Sequence, residues 1–362
     1  MSFASFTSLT NPKAFLRKGT GSNCTTRQER KKLPPPVKVA EVDLPNDDGF
    51  TSLVTSCRSG DHERVKYLLE KGATVDLADN RGTPLIMSCC IGHQETVKLL
   101  LANGAKVDLA MNKGITPLSA SCQYGHSEVV KLLLANGAKV NQATNSGYTP
   151  LITSSSKGHV EGVKLLLATG AKVDQANNDG ITPLSASSYE GHQEVVELLL
   201  AEGAMVDQAT NSGYTPLIQA SLRGHYGIAE LLLKSGAAAN HVMNNGETAL
   251  VSASFNGHYD IAELLLKSGA AANHATNGSV TALSAAVHKG HTALVPLLRL
   301  WRFTIPRRLA TYAGILYAVE LEEGHATQEE PVKKLLQLLA RTPDYVVMKI
   351  IMFLGDGGAA EE

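Results

Sequence analysis

Residues 112–143, "NKGITPLSASCQYGHSEVVKLLLANGAKVNQA", decide the fold. Asn112, Lys113 and Gly114 are turn residues, glycine being free to take positive φ. Thr116 can cap a helix and Pro117 suits its first turn. The helix that follows is short and built of small residues, Ser119, Ala120, Ser121 and Cys122, and Gly125 with His126 breaks it. Next come Val129, Val130, Leu132, Leu133 and Leu134 at helical spacing. Gly137 is expected to stop this second helix as a left-handed cap. The "AKVNQA" stretch, 138–143, reads as an extended return to the next turn. The unit is therefore a turn, a thin helix, a thicker helix and a strand-like return.

The unit recurs. Thr-Pro-Leu starts at Thr83, Thr116, Thr149, Thr182 and Thr215, and Thr-Ala-Leu continues at Thr248 and Thr281, always 33 residues apart. Thr51 precedes the series by 32, because "NRGTPL" is one residue shorter than "NKGITPL". Nine residues after each Thr stands a Gly, from Gly60 to Gly290, and His follows it in every repeat but the first, where Asp61 stands. One such helix pair cannot bury its own apolar face, but stacked neighbours can. Small residues in the first helices let adjacent units approach closely, while the Leu rows hold the other side further apart. The stack should therefore curve, with first helices and turn tips on the concave face.

These motifs resemble the ankyrin-repeat family, which has the same 33-residue period and a T-P-L-H-x-A signature. The resemblance covers eight repeats, residues 46–303. It implies an all-α solenoid of stacked helix-turn-helix units with β-hairpin-like loops, and partner binding at the turn tips and the exposed edge of the first helix. The residue after Leu departs from the family: it is Ile86, Ser119, Ile152, Ser185, Ile218, Val251 or Ser284, never His. The hydrogen bonds that His makes there must be replaced or omitted.

Copying within the chain is visible. "NSGYTPLI" occurs at 145–152 and 211–218, and "ITPLSAS" at 115–121 and 181–187, so Ser-type and Ile-type repeats alternate with a 66-residue period. "AELLLKSGAAANH" occurs at 229–241 and 262–274. Growth by tandem duplication favours a scaffold over a catalyst.

The ends differ from the middle. Residues 1–45 form a basic tail that ends in the linker Pro34, Pro35 and Pro36. A solvated disordered tail, a transit peptide and a basic localisation patch at "RQERKK" (27–32) are the three readings. Residues 304–341 read as a divergent capping repeat, with "VKKLLQLLA" (332–340) as its second helix. Residues 342–362 read as a C-terminal helix and flexible tail, the helix opening at Thr342, Pro343 and Asp344. That helix weakly resembles the opening of an F-box, which would make the chain a substrate-recruiting adaptor of a ubiquitin ligase.

Charge is balanced, with 33 Lys and Arg against 34 Asp and Glu, so nothing draws the chain toward nucleic acid or an anionic membrane. No apolar run has the length of a membrane span. A monomer is expected, in the cytoplasm, with a nuclear or organellar address as the alternatives. The five cysteines suit a reduced compartment. Cys57, Cys89 and Cys122 share one register and read as buried small residues; Cys90, nearer the edge, is expected to be oxidisable. Seven histidines follow the turn glycines in a row at about 10 Å intervals, the ordinary helix-packing distance, which is too far apart to share a metal. No cofactor, metal or catalytic constellation is expected, because every Asp, Ser and His recurs in register.

Function is expected where residues vary against the constant framework. Just before the repeat Thr stand Phe50, Tyr148 and Tyr214. Just before the turn Gly stand Arg58, Tyr124, Lys157, Tyr189, Glu190, Arg223, Phe255, His288 and Lys289. The chain is only 5% aromatic, so the gathering of aromatics at these few positions marks them as contact sites. The expected partner is a protein or peptide, and Lys157, Arg223 and Lys289 favour one with acidic groups.

Overall fold

The computed structural model describes residues 42–301, apart from 48, 80, 81 and 300. The expectations for residues 1–41 and 302–362, including the transit peptide, the divergent capping repeat and the F-box-like helix, fall outside the described residues. Helices come in pairs. The first of each pair are α1 (Ser52–Ser59), α3 (Pro84–Ile91), α5 (Pro117–Tyr124), α7 (Pro150–Lys157), α9 (Pro183–Glu190), α11 (Pro216–Arg223), α13 (Ala249–Asn256) and α15 (Ala282–Lys289). The second are α2 (His62–Glu70), α4 (Gln94–Ala102), α6 (Ser127–Ala135), α8 (Val160–Ala168), α10 (Gln193–Ala201), α12 (Tyr226–Lys234) and α14 (Tyr259–Lys267), and a shorter helical stretch at 294–299 pairs with α15.

Each first helix begins where its Thr says it should. The Thr116 hydroxyl accepts the Ser119 N–H at 3.1 Å, and Thr149 and Thr182 cap α7 and α9 in the same way. Gly125, at φ 74°, ends α5 in the left-handed region, and Gly137, at φ 81°, follows α6 as expected. The second helices bury one stripe: Val129, Val130 and Leu133 in α6 are fully buried. Burying Leu133 alone contributes about 2–3 kcal/mol, and Leu133→Ala would cost about 2–5 kcal/mol once its cavity is counted.

The first helices bury small residues around their whole circumference except the exposed edge. Cys57, Cys89, Cys122, Ser155, Ser188, Ser221 and Ser254, one per repeat, are all fully buried between neighbours. First helices accordingly contact one another far more extensively than second helices do. This is the asymmetry that curves a stack. The last member of the row, Val287, is 56% exposed, because α15 is the final first helix among the described residues.

Three cross-repeat ladders complete the stack. At the turn tips, Asn178 Nδ2 donates to the Asn145 carbonyl at 3.1 Å, and Asn211, Asn244 and Asn277 each repeat this on the preceding Asn. At the other end of the helices, His126 Nε2 lies 3.2 Å from the Cys90 carbonyl, and His159, His192, His225, His258 and His291 each reach a carbonyl 36 residues upstream. These histidines occupy N-cap positions yet make no capping bond, because their rings serve the neighbour. Asp61 explains itself here: where its repeat holds Asp in place of His, the side chain caps α2 by accepting the Arg64 N–H at 3.1 Å.

The third ladder corrects the reading of the return segment. It is not extended. Gln142 N–H donates to the Lys139 carbonyl in a turn, and no strand forms among the described residues; only isolated bridges, Asp79 with Gly82 and Ala275 with Thr281, occur. The turn presents an acidic or amide side chain to the next repeat: Asp108 accepts the Lys139 N–H at 2.9 Å, and Asn141 the Lys172 N–H at 2.9 Å. A strand here would have no partner strand, whereas this side chain satisfies a backbone donor of the next unit directly.

The missing His after Leu is replaced rather than omitted in the Ser-type repeats. Ser119 and Ser284 form capping boxes with Thr116 and Thr281. Ser185 instead donates across the repeat boundary to Gln219 Oε1 at 2.8 Å. Ile86, Ile152 and Ile218 substitute burial for hydrogen bonding.

Candidate functional site

The predicted contact residues fall on one face but at two heights. Tyr148 and Tyr214 stand at the tips, just before the Thr caps; Tyr189, Arg223, Phe255 and Lys289 stand at the far ends of the first helices. None of the twelve is buried. Phe50, Arg58, Tyr124, Tyr148, Lys157, Tyr189, Glu190 and Tyr214 are half-buried, and Arg223, Phe255, His288 and Lys289 are exposed.

Two pairings link neighbouring repeats. The Arg223 guanidinium lies over the Tyr189 ring, 4.8 Å from its centroid, and the Lys289 ammonium lies 4.2 Å from the Phe255 centroid. In each pair the aromatic comes from one repeat and the cation from the next. A cation held over a ring in this way is attracted by the ring's electron-rich face. The same aromatics have their backbone fixed by the histidine ladder, since the carbonyls of Tyr189 and Phe255 are those that His225 and His291 reach, each at 3.1 Å. The framework thus fixes the backbone from which the variable side chains project. Tyr124 lies beside His126, with ring centroids 6.4 Å apart.

The two heights meet at Tyr214. Burial, with the charge of Glu247 and then the neighbouring Tyr189 hydroxyl adding to it, raises its pKa above the usual tyrosine value. Glu247 itself accepts the Ser252 hydroxyl at 2.7 Å. Tyr148 is raised likewise, by burial first and by Asp179 second, against a lowering hydrogen bond from Asn177. Both tyrosines remain protonated donors at neutral pH. Phe50 precedes the Thr51 cap of α1, Arg58 lies in the last turn of α1, Glu190 closes α9, and His288 lies in the exposed last turn of α15.

Ion pairs lie elsewhere. Those among the described residues, Lys98 with Glu95, Lys164 with Glu194, Lys234 with Glu230, Lys267 with Glu263 and His62 with Glu63, all belong to second helices.

The Cys90 residue is half-buried, nearer the edge than its neighbours in the row, and burial of its side chain pushes the thiol up to about 12, which holds it protonated. Cys57 and Cys122 are likewise pushed up to about 12, and Cys89 well above its usual value. No metal-binding cluster and no helix long and apolar enough to cross a membrane occur among the described residues. Sequence reasoning missed the Asp and Asn ladder, although its signal was present as a Val followed by Asp or Asn once per repeat, at Asp76, Asp108, Asn141, Asp174 and Asp207.

Comparison with known proteins agrees with this architecture. A family model described as ankyrin repeats (3 copies) matches residues 31–111, 107–177, 169–242 and 233–300, which is well over half of the chain. The chain belongs to the ankyrin-repeat family, whose repeats mediate protein–protein interaction. Among solved structures it is similar to the crystal structure of the human ASB11 ankyrin repeat domain. That similarity has a TM-score of 0.56 at 29% identity, and covers 62% of this chain and 99% of that one. No curated protein sequence matches significantly.

Proposed function

We propose that the protein is a non-enzymatic scaffold or adaptor, acting as a monomer, that holds a protein or peptide partner against the face formed by the first helices and turn tips. One observation carries this reading: the aromatic and basic side chains of repeats four to eight lie accessible on backbone positions that the histidine and asparagine ladders hold in place. Rigid aromatics and a positioned arginine lose little conformational entropy on contact, which is what makes such residues dominate binding energy. Charge balance argues against nucleic acid as the partner.

The test is affinity capture with chemical crosslinking, comparing the intact chain with the Tyr148→Ala, Tyr214→Ala double variant and, separately, with Arg223→Ala. Arg223 is exposed, so its loss leaves the fold intact. Both variants should lose crosslinks between a partner and this face while unfolding at nearly the wild-type temperature. Undiminished crosslinking in both would refute the reading.

A further inference from the structure

The contact face carries a charge pattern with a period of its own. The residue just before the turn Gly is Lys157, Glu190, Arg223, Asn256 and Lys289 in repeats four to eight. Cations therefore recur every 66 residues, with a carboxylate midway in the first interval and an amide midway in the second. None of the three cations enters the ion pairs found among the described residues, all of which belong to second helices. Arg223 and Lys289 are instead held over Tyr189 and Phe255. Their charges are positioned by rings and left without a counterion among the described residues.

We infer that this face binds an extended acidic peptide whose carboxylates recur at intervals of about six residues, with a basic residue midway in the first interval. This rests on the scaffold reading and names the chemistry of its partner. The spacing follows from two lengths. Neighbouring first helices pack about 10 Å apart, so successive cations stand about 20 Å apart. A peptide extended in the polyproline manner advances about 3.1 Å per residue with three residues per turn, so about six residues span one interval, about three reach from Lys157 to Glu190, and all of these share one face. A helical peptide would need about 13 residues for the same 20 Å. The carboxylate opposite Arg223 can accept two parallel N–H bonds from one edge of a guanidinium already held over a ring, so less side-chain freedom is lost in pairing it. Glu190 acts against a uniformly acidic peptide, because a third carboxylate placed over it would be repelled.

The probe is a labelled synthetic peptide of Gly and Ser carrying three glutamates at six-residue intervals and one lysine midway in the first interval. It is made in forward and reversed order, beside a shuffled peptide of the same composition, and titrated onto the full chain by fluorescence anisotropy. Four surface charge pairs, three with the cations and one with Glu190, each contributing about two- to fivefold, predict that one of the two ordered peptides binds at least roughly tenfold tighter than the shuffled one. Arg223→Glu should abolish that advantage, and replacing the central glutamate of the peptide by lysine should restore it. The preference should also shrink as salt is raised. Equal affinity for ordered and shuffled peptides, or an advantage untouched by Arg223→Glu, overturns the inference. If that happens while crosslinking still depends on Tyr148, Tyr214 and Arg223, the register falls and the scaffold reading stands; crosslinking undiminished in those variants removes both.

Discussion

The contact between Gly158 and His192 separates two costs that usually come together. Gly158 ends α7 at φ 71°, and a Cβ built on it would lie 2.5 Å from His192 Nδ1. Gly158→Ala therefore meets left-handed backbone strain of about 1–2 kcal/mol and, on top of it, a collision costing about 1–3 kcal/mol. His192→Ala removes the hydrogen bond to the Ser156 carbonyl, 3.1 Å away, at a net cost of about 1 kcal/mol. It also clears the space over Gly158. In the double variant the collision is gone and only strain remains, so the pair should be less destabilising than the sum of the singles by at least about 1 kcal/mol. Gly170 supplies the control. At φ 89° it carries the same strain, but a Cβ there meets nothing within 4 Å, so Gly170→Ala should cost strain alone and add simply to His192→Ala. The assay is urea unfolding followed by circular dichroism, with all variants fitted on either side of the fourth and fifth repeats in case the weakened boundary splits the transition. If Gly158→Ala and His192→Ala add without coupling, the ring does not rest on that glycine and the account of the histidine ladder fails.

Other outcomes follow from single side chains. The hydroxyls of Ser155, Ser188, Ser221 and Ser254 are buried without a hydrogen-bond partner; Ser188→Ala should raise stability by up to about 1 kcal/mol, seen as a higher unfolding midpoint, and a lowered midpoint would mean the hydroxyl is satisfied. His159 has its pKa lowered, chiefly by burial and further by His192, His126 and Lys157, against the pull of the Gln123 carbonyl. Because its folded value lies below the ordinary one of about 6.5, stability should be level above that pH and fall as pH drops through and below it, where the unfolded chain takes up the proton first. His159→Gln should flatten that slope in thermal melts, and an unchanged slope would assign it elsewhere. Glu247 holds the Tyr214 pKa up, so Glu247→Gln should move one phenolate transition in an ultraviolet pH titration to lower pH; a titration identical to wild type would separate the two residues.

Much of the fold was legible because its signals are local. Thr116 caps, Gly125 and Gly137 terminate, and the Val and Leu stripe of α6 repeats at helical spacing, so each could be read within one unit. The return segment was misread for the same reason. Within one unit "AKVNQA" looks extended, and only the next repeat, whose Lys172 N–H needs an acceptor, explains why it turns to present Asn141. The histidines were recognised as structural, but that six of the seven replace a capping bond with a reach of 36 residues could not be read from any one repeat.

The contact face divides in the same way. Variation against a constant framework marks Tyr189, Arg223, Phe255 and Lys289 as candidates for the proposed contact face. It could not show that Arg223 covers Tyr189 or that Tyr214 and Glu247 share a field, because those contacts cross a repeat boundary.

Sequence by itself determined the period, the helix ends and the buried stripes, since capping, glycine conformation and hydrophobic spacing act over a few residues. Tertiary structure alone decided which repeat's side chain completes its neighbour and which cations stand over the rings of the preceding repeat. Those contacts join residues 29 to 36 positions apart, a separation that only the stacking of one unit on the next brings within reach.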